Sequence, residues 1–139
     1  MNRAKLLFVV GWTFIISFMA CSSQPQPIRE LAAKQLTLAA QQYDRMAAFA
    51  ADSVKLPRSF AANGQHVFAP SSWWTSGFIP GSLWTLYEYD AKPERLQAAR
   101  RFTQKVENEQ YNTGTHDLGF MLYCSFGNGY RLTRDPAYR

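Results

Sequence analysis

Residues 76–89, Ser76-Gly77-Phe78-Ile79-Pro80-Gly81-Ser82-Leu83-Trp84-Thr85-Leu86-Tyr87-Glu88-Tyr89, decide the reading of the fold. Drawn as a helix with Pro80 in its first turn, they put Phe78, Ile79, Leu83, Trp84, Leu86 and Tyr87 nearly all round the axis. A helix without a polar face must be buried on most sides. A second stretch of the same kind starts at Asp117 and runs to about residue 132, with Leu118, Phe120, Met121, Leu122, Tyr123 and Phe126. Between the two, residues 93–108 read as an amphipathic helix opened by Pro93. Leu96, Ala99, Phe102, Thr103 and Val106 make one stripe, and Glu94, Arg95, Arg101, Lys105 and Glu107 are expected to face elsewhere.

Ahead of these, residues 27–50 are expected to be helical, with Pro27 at the first helical position. Ile28, Leu31, Ala32, Ala39, Tyr43, Met46 and Ala47 recur there at helical spacing. Residues 52–72 read as a loop, in which Asn63-Gly64 marks a small hairpin between short flanks. Glu88 and Asp90 close the second helix and are expected to face solvent. Gly77, Gly81, Gly119, Gly127 and Gly129 are spread through helices, so they do not form a phosphate loop and are expected to permit close helix packing.

Alternating enclosed and amphipathic helices suit an all-α, two-layer helical toroid, one ring inside the other. A weak internal repeat agrees with it. At an offset of 42, Gly77-Phe78 falls on Gly119-Phe120 and Trp84 on Phe126, and at 43 Pro93 falls on Pro136. The same offset sets Trp74-Thr75 against His116-Asp117, each pair just before the Gly-Phe that opens an inner helix. Equivalent ends of inner helices point to one mouth. Trp73, Trp74, His116 and Asp117 are therefore expected to gather there. Aromatic faces beside an acid and an imidazole suit a sugar ring, since the rings cover its C–H side and the polar groups take its hydroxyls. On spacing alone Asp117 is equally an N-cap of the apolar helix that follows it. Asp135-Pro136 reads as an N-cap followed by Pro at the first helical position, three residues before Arg139. A helix started there and not built is expected to mean a truncated chain.

Of 139 residues, 47% are apolar and 18% charged, which is a globular composition. The net charge is +5, but the basic residues are scattered, with Arg100-Arg101 the one adjacent pair. Nucleic-acid binding needs clustered basic residues, so no nucleic-acid partner is expected. Two cysteines, Cys21 and Cys124, exclude a disulfide scaffold and a Cys-rich zinc site. No His, Asp or Glu cluster has metal spacing, and neither a metal nor a cofactor is expected. Cys124, in an apolar run, is expected to be a small buried hydrophobe.

At the N-terminus a short basic segment, 1–5, precedes 15 mostly apolar residues, 6–20. That is shorter than the ~20 residues a membrane-spanning helix needs, and it reads as an export leader. Phe18-Met19-Ala20-Cys21 resembles a bacterial lipobox, so Cys21 is expected to be lipidated. The resulting organisation is a signal peptide over 1–20, a tether over 21–27 and the helical domain over 28–139. The expected location is a Gram-negative membrane, held only through the lipid and facing the periplasm, with a soluble periplasmic protein as the alternative.

Residues 73–89, from Trp73-Trp74-Thr75-Ser76-Gly77-Phe78 to Leu86-Tyr87-Glu88-Tyr89, form one of two longer motifs. The other is Tyr111-Asn112-Thr113-Gly114-Thr115-His116-Asp117-Leu118-Gly119-Phe120-Met121-Leu122-Tyr123-Cys124-Ser125-Phe126-Gly127-Asn128-Gly129-Tyr130. Together they resemble the N-terminal part of unsaturated glucuronyl hydrolases, family 88 of the glycoside hydrolases. Pro57-Arg58-Ser59 fits the loop that precedes the first motif in that family.

The resemblance implies an (α/α)6 barrel, of which this chain would supply the first two to three helical hairpins and so be inactive alone. It also implies removal of a 4,5-unsaturated uronic acid from the non-reducing end of lyase-generated oligosaccharides. The substrates would come from glycosaminoglycan-like or other uronic-acid polysaccharides. The double bond is protonated at C4, water adds at C5, and the hemiketal collapses, unlike a displacement at the anomeric carbon. By the same resemblance Asp117, in the His-Asp-x-Gly-Phe motif, is catalytic. His116 and Trp74 contact substrate, with Trp73 beside them. The family's main acid/base Asp lies on a later inner helix and matches no residue here. Two other functions fit the same residues: hydrolysis of unsaturated rhamnogalacturonan disaccharides on a related barrel, and glycan binding without turnover by a surface lipoprotein.

Overall fold

The computed structural model describes residues 27–139; the leader, Cys21 and all of the tether but Pro27 lie outside them. The described residues are mostly helical. Helix α1 spans Ile28–Phe49, with Pro27 one position outside it rather than at its first residue. An antiparallel hairpin follows, β1 Leu56–Phe60 and β2 His66–Ala69. Gly64 turns it at φ +80, a conformation that suits glycine. The register shifts between Pro57 and Ser59, so Arg58 sits in a bulge.

Helices α2 Phe78–Asp90 and α3 Pro93–Gln104 form a helical hairpin across two residues. A 3-10 turn, Glu107–Tyr111, ends the amphipathic segment four residues sooner than the periodicity indicates. A π-helix, Gly119–Gly127, then runs into α4, Asn128–Thr133. The Asn128 N–H reaches the Tyr123 carbonyl five residues back, the bond that defines a π turn. A last 3-10 turn, Pro136–Tyr138, is capped as expected, with the Asp135 carboxylate accepting from the Ala137 N–H at 3.0 Å.

The repeat is visible in the backbone. Pro93 and Pro136 both open a helical turn, and each follows a left-handed residue, Ala91 at φ 54 and Arg134 at φ 58, that ends the preceding helix. The offset is 42 where the apolar helices begin and 43 where they end. One extra residue has therefore entered the second copy. A π turn takes up more residues per turn than an α turn, so it absorbs that insertion without moving either end.

The core forms where α1, β1, α2 and α3 meet: Ala47, Ala50, Leu56, Leu83, Trp84, Ala98, Ala99 and Phe102. Trp84 is fully buried and donates its indole N–H to Thr103 Oγ1 at 2.9 Å, so its one polar atom is satisfied. Lys105 lays its ammonium over the Phe102 ring and donates to the carbonyls of Ala50, Ala51 and Ser53 at 2.7–3.0 Å. It thus closes the C-terminal end of α1, where carbonyls lack partners and the helix dipole favours a cation.

Three expectations change. Arg95 does not face away from the core: it is 1% exposed and makes a bidentate ion pair with Asp44 of α1 at 2.7–2.9 Å. Asp90 is not simply solvent-facing, because it pairs with the same guanidinium. Glu88 is exposed as expected, and there it holds Arg131 of α4 in a bidentate pair at 2.6–2.7 Å. The second apolar helix is not enclosed on most sides among the described residues. Phe120 is 49% and Tyr123 74% exposed, although α2, α4 and the 3-10 turn at Glu107–Tyr111 all pack against this helix.

The glycines divide by position. A Cβ on Gly77 would lie 2.1 Å from the Phe120 carbonyl oxygen and 2.3 Å from that of Met121. One turn on, a Cβ on Gly81 would meet the Cys124 carbonyl at 3.0 Å. At Gly119 a Cβ would meet nothing within 4 Å, so close packing does not explain that glycine. Gly77→Ala is expected to cost about 3 kcal/mol or more, because the clash is with backbone rather than a yielding side chain. Gly119→Ala should stay within ~0.5 kcal/mol of the parent or gain slightly. Equal urea midpoints for the two variants would refute this.

Burial alone would raise the Asp90 carboxyl, but hydrogen bonds from Arg95 and the Lys92 N–H, with their charges, hold it below the ordinary carboxylate value. A depressed folded-state pKa adds stability above the unfolded value of ~4, lost as pH falls through the folded value. Melting temperature should therefore drop on acidification below about pH 4. In Asp90→Asn the drop should be shallower, and an unchanged acid limb would contradict the assignment.

Candidate functional site

Two loops precede the two apolar helices. The first, residues 70–77, carries Trp73 and Trp74; the second, residues 112–118, carries His116 and Asp117. The contact at Gly77 brings the helix starts together backbone to backbone. Trp74, Phe78 and Phe120 then meet edge to face, with centroids 5.7, 5.8 and 6.2 Å apart. All three are partly exposed, so the cluster presents aromatic surface to solvent.

Asp117 begins the second helix through its backbone, its carbonyl accepting from Phe120 and Met121. Its carboxylate accepts from no helical N–H, its side-chain contacts being with Thr115 and His116. One oxygen lies 3.5 Å from His116 Nε2, and the other accepts from Thr115 Oγ1 at 3.4 Å. His116 is almost wholly exposed beside it. An acid and an imidazole are thus held side by side, three residues from the ring on which Trp74 packs. Such a pair accepts from and donates to hydroxyls, next to a ring face suited to C–H groups.

Trp73 does not join the cluster. The bulged Arg58 guanidinium sits 4.2 Å from its ring centre, which places it toward the hairpin. None of the four residues lines the cleft of about 630 Å³ between α1 and the hairpin. His66, without a role in the sequence reading, stacks there on Phe49 at 4.3 Å. Cys124 is half-buried and burial pushes its thiol up, which suits an inert side chain. Among the described residues no group of three His, Cys, Asp or Glu could hold a metal.

One buried group escaped the sequence reading. Glu109, in the 3-10 turn, is 6% exposed. It accepts from Ser71 Oγ at 2.5 Å and from Asn112 Nδ2 at 2.8 Å, one donor from each loop. Its neighbours Glu107 and Gln110 are exposed and polar, and nothing in local spacing sets it apart from them.

The fold and site therefore define a helical-hairpin protein with an aromatic and carboxylate cluster at the paired starts of its apolar helices. No family model matches the chain. It is 30% identical over 135 residues to the unsaturated glucuronyl hydrolase of Formosa agariphila, covering 96% of this chain and 34% of that protein. It also matches the crystal structure of an unsaturated glucuronyl hydrolase specific for heparin, with a TM-score of 0.65 and 40% identity. That match covers 74% of this chain and 29% of the other. The chain is homologous to unsaturated glucuronyl hydrolase and spans about a third of the length of these relatives.

Proposed function

We propose that the full product of this gene is an unsaturated glucuronyl hydrolase built on an (α/α)6 barrel, with residues 28–139 as its N-terminal part. The observation that supports this best is the joining of Trp74 to the start of the helix that bears Asp117, in a chain homologous to that enzyme. Further barrel helices would cover the exposed flank at Phe120 and Tyr123. The substrate class is an oligosaccharide ending in a 4,5-unsaturated uronic acid.

In this reading Trp74 covers the ring face and His116 donates to a hydroxyl or to the sugar carboxylate. Asp117, free of capping, accepts from sugar hydroxyls and assists hydration of the double bond. Trp73 contributes from beside the site through its pairing with Arg58. The residue that protonates C4 is not among those matched in this chain. Glycan binding without turnover would use the same mouth, and turnover decides between the two.

Asp117→Asn keeps the shape and removes the charge. Turnover of an unsaturated disaccharide, followed as loss of ultraviolet absorbance, should fall by about two orders of magnitude, close to 3 kcal/mol of transition-state stabilisation. The melting temperature should hardly move, because the carboxylate accepts from no helical N–H. Near-normal turnover with a lowered melting temperature would make Asp117 a structural residue.

The location proposed rests on sequence alone: Cys21 lipidated, and the protein anchored by that lipid facing a Gram-negative periplasm. Cys21→Ser should block normal processing, so that no lipid-anchored mature protein accumulates in the membrane fraction. Unchanged processing and membrane association would rule the lipid anchor out.

A further inference from the structure

We infer that Glu109 is a positioning residue for the candidate site, fixing the loop that carries Trp74 relative to the loop that carries Asp117. The inference rests on the functional reading just given. Glu109 is buried and forms no salt bridge among the described residues, so its burial is supported by hydrogen bonds alone. Both bonds come from donors, the Ser71 hydroxyl and the Asn112 amide nitrogen. The Asn112 side-chain oxygen in turn accepts from the Gly114 N–H at 2.9 Å. A continuous chain of bonds therefore runs from Ser71, two residues before Trp73, through Glu109 and Asn112 to Gly114, two residues before His116. The contact at Gly77 fixes the helix starts; the bonds of Glu109 fix the loops in front of them.

Glu109 is the common acceptor of this chain. The Asn112 amide nitrogen can only donate, so position 109 must offer it an acceptor, while the Ser71 hydroxyl can donate or accept. A glutamine at position 109 therefore keeps both links, its Oε1 accepting from Asn112 and its amide nitrogen donating to the Ser71 hydroxyl. Glu109→Met keeps the length of the side chain and removes both links, and a displacement of about 1 Å in a site costs up to about a hundredfold in rate.

The test uses the full gene product. Glu109→Met should speed amide exchange in residues 70–77 and 112–118 and lower kcat/KM at least about tenfold. Glu109→Gln, which keeps both links, should retain exchange protection and kcat/KM to within about threefold of the parent. In an Asp117→Asn background Glu109→Met should cost less than about twofold, since Glu109 acts through the placement of that carboxylate. A generally weakened fold would lower turnover alike in both backgrounds.

Loops that exchange as in the parent, or accelerated loops with unchanged kcat/KM, would overturn the inference. So would an equal loss from Glu109→Met in the Asp117→Asn background. If Glu109→Met does not fold, Ser71→Ala leaves the Asn112 bond in place and should release residues 70–77 alone; release of neither loop would overturn the linkage. A parent protein that turns over no unsaturated oligosaccharide would sink the functional reading instead. The exchange data would still decide whether Glu109 joins the loops.

Discussion

The starts of the two apolar helices meet through their backbones, not their side chains. At Gly77 the start of α2 lies against the carbonyls of Phe120 and Met121, and one turn later Gly81 lies against Cys124. A side-chain interface can yield by rotamer changes, but a backbone interface has no such freedom. The separation and rotation of the two apolar helices are therefore set at their first turns. Everything immediately before those turns inherits the placement, including Trp74 on one strand of chain and His116-Asp117 on the other. Sites supported by rigid elements hold their geometry better than sites on free loops. Here the mouth consists of loops, but each is tethered within a few residues of a rigid helix start.

Much of this was legible in the sequence, for reasons that can be named. The amphipathic helix showed its stripe because Ala99, Phe102, Thr103 and Val106 are all fully buried. The hairpin showed through Asn63-Gly64, and Pro93 and Pro136 each marked a helical start. The pairing of Trp74 with the Asp117 helix followed from the repeat offset. The π-helix was not legible from periodicity. A stretch apolar on every side gives no polar phase by which to tell wider turns from ordinary ones. Its trace was the change of offset from 42 to 43, a one-residue insertion that only the backbone assigns to a particular helix.

Charged residues were the other gap. Arg95 follows Glu94 on the helix edge and reads locally as solvated, yet its partner Asp44 lies 51 residues away on α1. Glu109 sits in a polar run and finds Ser71 from 38 residues away. The pattern of a single helix shows which face a charge occupies. It does not show that carboxylates or hydroxyls from another element arrive to satisfy it. Buried charge is tolerated only where such partners exist, so its location is decided by tertiary packing. Trp73 is a related case. Its neighbour Trp74 joins the ring cluster, while the bulge at Arg58 supplies Trp73 with a cation from the hairpin. Register shifts of that kind leave little trace in a single sequence.

The carboxylates of the described residues differ in how fully the fold uses them. Glu109 accepts one hydrogen bond at each oxygen, Asp90 holds Arg95, and Glu88 holds Arg131. Asp117 stands where a capping acid would normally serve, yet it leaves the helical amides alone and lies beside an exposed histidine. An unused N-cap forgoes about 1 kcal/mol of helix stability. Local rules of this kind are most often broken where another requirement outranks stability. A carboxylate withheld from its own helix keeps lone pairs for a partner outside the fold. Beside it the Trp74 cluster offers the apolar face that a polar pair alone would lack. These two features, one of charge left over and one of aromatic surface left uncovered, are what the proposed sugar site at the paired helix starts rests on.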